Sequence, residues 1–129
     1  VLLRIQLPLD PLGKNGIWGM GKPSRTLFPQ FKMDSGLFSD VLLEKKWAIV
    51  ALGGVFSPEE SMEAEKAGLL PVSFSDKEAN FGFMQTWSEK HKASFVIVRP
   101  DLYVFSGGYH AVPLIQAYKQ SKKAHFALF

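Results

Sequence analysis

The sequence contains no cysteine. That one absence removes disulfide bonds, thiolate catalysis, iron–sulfur clusters and the commonest zinc sites together. Long apolar runs are missing too. No stretch approaches the ~20 residues a membrane-spanning helix needs, and no charged start followed by an apolar run opens the chain. Concentrated charge is also lacking: the formal net charge is +3, and the basic clusters Lys45-Lys46, Lys90-His91-Lys92 and Lys119–Lys123 sit near the ends of predicted elements. A nucleic-acid surface shows a denser basic stripe. His91, His110 and His125 have no H-x-H or H-x3-H spacing, which predicts surface or capping histidines rather than a metal centre. A cytoplasmic protein with no membrane and no nucleic-acid partner is the expectation.

What remains is a chain of 129 residues, 47% of them hydrophobic, enough for one domain with a substantial core. It opens on Val and reads as already under way, a fragment or the tail of something longer. Residues 1–25 read as an extended segment and a Gly/Pro-rich connector, and residues 26–129 as the folded domain. In Val1–Leu9, apolar Leu3, Ile5 and Leu7 alternate with polar Arg4 and Gln6, a period-2 pattern. Pro8–Pro23 holds Gly13, Gly16, Gly19 and Gly21. Its Gly16–Lys22 stretch satisfies G-x4-G-K, but Pro23 stands where a magnesium-binding Ser or Thr would be. Neither the strand before nor the helix after that a phosphate loop requires is predicted.

The strongest local signal lies at 93–108. Phe95–Val98 and Leu102–Phe105 are apolar runs joined by Arg99-Pro100-Asp101, and Gly107-Gly108 is expected to end the second. They read as a β-hairpin, with Pro100 at the corner because it has no N–H for a ladder. Arg99 and Asp101 are expected to stabilise the turn, and Gly107–His110 to form a loop. Upstream, Thr26–Met33 reads as an extended piece, and Leu37–Leu43 as a short helix with Phe38, Val41 and Leu42 on its inner face. Trp47–Leu52 is unbroken apolar sequence, as in a strand covered on both faces.

After Gly53-Gly54-Val55-Phe56 comes a well-specified helix start: Ser57 as N-cap, Pro58 at the first helical position, and Glu60 completing a capping box. Ser57 superficially resembles a nucleophile at a strand-to-helix turn, but G-x-S-x-G is missing and Pro58 makes it a cap. The helix should carry Met62, Ala64 and Ala67 to about Gly68. Pro71–Phe74 reads as a strand. Ser75–Glu78 offers a second capping box for a helix with Phe83, Met84 and Trp87 on one face. A last helix, from about Pro113 to Lys122 with Leu114, Ile115 and Tyr118 inward, precedes an apolar tail, Phe126–Phe129.

From Trp47 the predicted order is β-α-β-α-β-β-α, an α/β fold with a central mixed sheet and helices on both faces. Thioredoxin-like folds have this order. Their redox C-x-x-C sits after the first central strand, at a helix N-terminus that lowers a thiol's pKa. Here that slot is Gly54–Pro58, without sulfur, so thiol–disulfide chemistry is excluded.

Leu27-Phe28-Pro29-Gln30, Leu37-Phe38-Ser39-Asp40-Val41-Leu42, and Val96–Asp101 with Tyr103-Val104 resemble the C-terminal domain of class A FAD-dependent aromatic hydroxylases, of the phenol hydroxylase and 3-(3-hydroxyphenyl)propionate hydroxylase type. The resemblance covers about Thr26–Tyr118. It implies a thioredoxin-like, cysteine-poor domain that serves architecture or dimerisation in a flavin monooxygenase. FAD and NAD(P)H would belong to the parent enzyme. The flavin fingerprint G-x-G-x-x-G is absent from this chain, so no catalytic or cofactor-binding residue carries over and the chain itself is expected to bind no cofactor. The partners implied are upstream FAD and substrate domains or a second subunit in a homo-oligomer. Candidate interface residues are Leu3, Ile5, Leu7, Phe126 and Phe129, because two apolar ends on a soluble chain need something to pack on. The alternative is a free-standing, cysteine-less thioredoxin-like binding module with its site near Gly53–Ser57.

Overall fold

A computed structural model describes residues 23–30, 32–43, 45–77 and 81–127, with the side chains of 123–127 excepted. Eight elements follow one another: α1 (Ser39–Leu43), β1 (Ala48–Gly53), α2 (Pro58–Lys66), β2 (Leu70–Ser75), α3 (Phe81–His91), β3 (Phe95–Val98), β4 (Val104–Gly108) and α4 (Ala111–Ala127). The four strands form one mixed sheet in the order β2-β1-β3-β4. β1 runs parallel to β2 and antiparallel to β3, with Val50 opposite Val72 on one side and Val96 on the other. β3 and β4 are antiparallel.

The apolar run at Trp47–Leu52 becomes an inner strand because it has cover on both faces. Ala48, Val50 and Leu52 point into one core with Phe28, Leu43, Phe74, Met84, Val96 and Val98. Ile49 points into the other with Ala64, Leu69, Ile97, Phe105, Leu114, Ile115 and Tyr118. α1 and α3 close the first face, α2 and α4 the second. A parallel β1–β2 pair requires a crossover, and α2 supplies it. Its start is the predicted capping box: Ser57 Oγ accepts from Glu60 N at 3.1 Å, and Ser57 N donates to Glu60 Oε1 at 2.8 Å. Its end is a Schellman motif, in which Leu69 N donates to Ala64 O at 2.9 Å and Gly68 N to Glu65 O at 3.0 Å. That closure needs a left-handed residue, and Gly68 sits at φ +82°.

The hairpin turn pairs Leu102 N with Arg99 O at 2.9 Å and Arg99 N with Tyr103 O at 2.8 Å. A type I turn followed by one left-handed residue makes such a three-residue loop, and here Leu102 takes that position at φ +74°. The register then slips by one residue, from Val98 opposite Val104 to Ile97 opposite Ser106. Phe105 is the extra residue, a β-bulge that lets it join the α2/α4 face beside Ile97.

Several expectations need correction. Gly107 and Gly108 are the last two residues of β4, so they end the strand as expected but from within it, and the expected loop is confined to Tyr109 and His110. α1 is shorter than expected and turned differently: Ser39 and Leu43 are buried while Phe38 and Val41 are exposed. A five-residue helix makes only one turn, so its buried side follows its tether, the Ser39 Oγ bond to Pro29 O at 3.0 Å, and not its apolar spacing. Phe83 and Met62 are likewise exposed, although Met84 and Ala64 near them in sequence are buried. α4 starts at Ala111 and continues through residue 127, taking in part of the expected tail. Pro113 is tolerated because first-turn N–H groups lack helical partners. Ser75 Oγ accepts from Lys77 N at 3.0 Å; Glu78, the other half of the second capping box, lies outside the described residues.

Both sheet edges are guarded. Along β4, Arg25 N donates to Val104 O (2.9 Å), Val104 N to Thr26 O (2.7 Å) and Phe28 N to Leu102 O (2.9 Å). At β2, Leu70 N donates inward to Trp47 O, which turns Pro71 outward, where its missing N–H suits an edge strand. Among the described residues no helix is long and apolar enough to cross a membrane.

Candidate functional site

The place to look for chemistry in a sheet of this kind is the junction where β1 feeds α2. Gly53 leaves the strand at φ +92°, and the Phe81 ring of α3 lies over it: a Cβ added there would stand 2.5 Å from Phe81 Cε1. Gly54 has open space around it. Val55 is 80% exposed, and Phe56 turns back to pack its ring 5.6 Å from that of Phe95. Ser57 then caps the helix. Its hydroxyl accepts from Glu60 N, so it serves as a cap and not as a nucleophile.

The junction does not suit a dinucleotide. A flavin pyrophosphate needs close backbone approach across glycines and a helix N-terminus with free donors. Here the Phe81 ring fills the approach to Gly53. The Glu60 amide is already bonded to Ser57, and Glu59 and Glu60 place two carboxylates in the first turn, where they would oppose a phosphate.

Other residues singled out in the sequence stand apart from one another. His91 closes α3 with its ring 4.4 Å from that of Trp87. His110 is exposed between β4 and α4, and the His125 side chain lies outside the described set. Among the described residues no three His, Cys, Asp or Glu side chains gather as metal ligands. Gly16–Lys22 of the phosphate-loop near-match lie outside the described residues, whereas Pro23 is buried against Gly107. Of the candidate interface residues, Leu3, Ile5, Leu7 and Phe129 also lie outside them. Phe126 is described only as a backbone position in α4.

Arg99 is more deeply placed than a turn residue suggests. It is 1% exposed, and its Nη2 donates to Asp101 Oδ2 at 2.8 Å. Asp101 Oδ1 also accepts from Tyr103 N at 3.2 Å. One carboxylate thus holds both the guanidinium and the exit of the turn, an arrangement that stabilises the hairpin.

The feature that sequence reasoning missed is apolar and exposed. Leu27 (57%) is bridged to Tyr103 (39%) just before β4. The Ser39–Pro29 bond holds the start of α1 against the same segment, and there Leu37, Phe38 and Val41 are exposed. The signal was present in Phe38 and Val41, whose spacing marks an apolar stripe. The spacing does not reveal that the stripe faces out. Compared with family models, curated proteins and solved structures, the chain matches none of them.

Proposed function

We propose that this chain is a cysteine-free thioredoxin-like domain with an architectural role. In this reading it is the C-terminal, dimerisation-type domain of an FAD-dependent, NAD(P)H-using aromatic-ring monooxygenase of the cytoplasm. The observation that carries the reading is the sheet: order β2-β1-β3-β4, β3 antiparallel to its neighbours, helices on both faces, and a β1–α2 junction occupied by Gly54–Pro58 where redox thiols would stand. The fragments LFPQ and VRPD-x-YV supply the link to flavin hydroxylases. FAD and NAD(P)H would be held by upstream parts of the polypeptide, a reading supported by the Phe81 ring over Gly53 and the two carboxylates in the first turn of α2. The exposed apolar residues Leu27, Leu37, Phe38, Val41 and Tyr103, together with Leu3, Ile5, Leu7, Phe126 and Phe129, are those that would meet those domains or a second subunit.

Three measurements test it. The reading frame upstream of Val1 is expected to run for several hundred residues with G-x-G-x-x-G near its start. A frame that begins near Val1 would remove the hydroxylase reading and favour a free-standing binding module, with exposed Val55 at its site. Light scattering on the protein and on Phe38→Ser/Val41→Asp is expected to show an oligomer that the double variant weakens without changing the circular dichroism spectrum. A parent already monomeric, or a variant that associates equally well, would overturn the contact with a second subunit. A purified isolated domain carrying stoichiometric FAD would overturn the architectural role.

A further inference from the structure

We draw no further inference here: the strongest candidate, the exposed apolar residues Leu27, Leu37, Phe38, Val41 and Tyr103 of the segment before and within α1 and of the hairpin turn, belongs to the surface already proposed, and nothing in the structure shows what covers it.

Discussion

One face of the sheet is covered by α2 and α4, helices that run directly on from the strands before them, β1 and β4. The opposite face is covered by α3 and by a segment from far away in sequence, in which Phe28 and Met33 join Phe74, Trp87 and Val104. Its aromatic contacts reflect this: Phe28 lies 6.2 Å from Phe74 and 5.6 Å from Trp87. On the first face each helix starts directly after a strand of the sheet, although Trp47 and Tyr118 still meet there from far apart in sequence. The second face needs, in addition, a segment tied in only through long-range contacts, whose loop-closure entropy is paid before they form. The exposed apolar residues Leu27, Phe38 and Val41 come from the chain that reaches across to this second face.

The sharpest way to break this contrast uses two adjacent glycines of β4. A Cβ at Gly107 would run into Pro23 Cγ and stand 3.2 Å from both Ala93 Cβ and Val96 Cγ1. At Gly108 the nearest atom would be Leu114 Cδ2 at 3.7 Å, an ordinary contact. Gly107→Ala is expected to cost about 2–3 kcal/mol through overpacking against the N-terminal segment. Gly108→Ala should change stability by less than ~1 kcal/mol, with lower backbone entropy in its favour. Urea unfolding of both variants decides it. Equal effects would mean that Pro23 yields freely and that the second face does not depend on it.

Next in size is the pair at the hairpin. Asp101→Ala removes a carboxylate from a guanidinium that is 1% exposed. Because the Asp101 side chain remains 23% exposed, the expected loss is about 1–2 kcal/mol, below that of a fully buried pair. Arg99→Met, which fills similar volume without charge, is expected to cost no more than this. A loss in Asp101→Ala larger than that in Gly107→Ala would shift the weight of stability from the two faces to the end of the sheet they share.

Smaller again is the cap on the locally built face. Ser57→Ala should cost about 1 kcal/mol and Ser57→Gly only a few tenths, read as shifts in the urea midpoint. An unchanged Ser57→Ala would mean that packing of α2 against α4, and not its cap, fixes where the helix begins.

The contrast also explains what could be read from the sequence. The Ser57–Glu60 box, Gly68, the Pro100 corner and the inward Leu114, Ile115 and Tyr118 are governed by interactions within a few residues, and the structure has them as expected. The misreadings share a different cause. Gly107 reads as the start of a loop because nothing nearby in sequence announces that Pro23 will press on it within β4. Phe38 and Val41 have helical spacing, but a one-turn helix is oriented by its bond to Pro29. The burial of Arg99 depends on tertiary packing that the sequence of the turn does not specify. At the β1–α2 junction, the glycines and the cap were legible, while the Phe81 ring that closes over Gly53 comes from α3.

The smallest effect concerns the locally built face and is a matter of pH. Tyr118 packs 5.2 Å from the Trp47 ring and 5.9 Å from Phe105, with Lys122 Nζ 5.8 Å from its centre. Burial raises its phenol pKa above the ordinary 10.0, because an ionised ring there would lose its hydration. The folded protein therefore holds this proton to higher pH than the unfolded chain does. The contribution is fully present below about pH 10 and declines as pH rises from there towards the folded value, where the unfolded state binds fewer protons. Tyr118→Phe removes the titrating group and keeps the ring. Near pH 7 the variant should differ little from the parent, and near pH 10.5 it should have gained stability relative to it. Lysine titration is common to both proteins and cancels in the comparison. Urea unfolding at the two pH values checks this, and a parent–variant difference that stays constant between them would show that Tyr118 ionises as easily in the folded protein as in the unfolded chain.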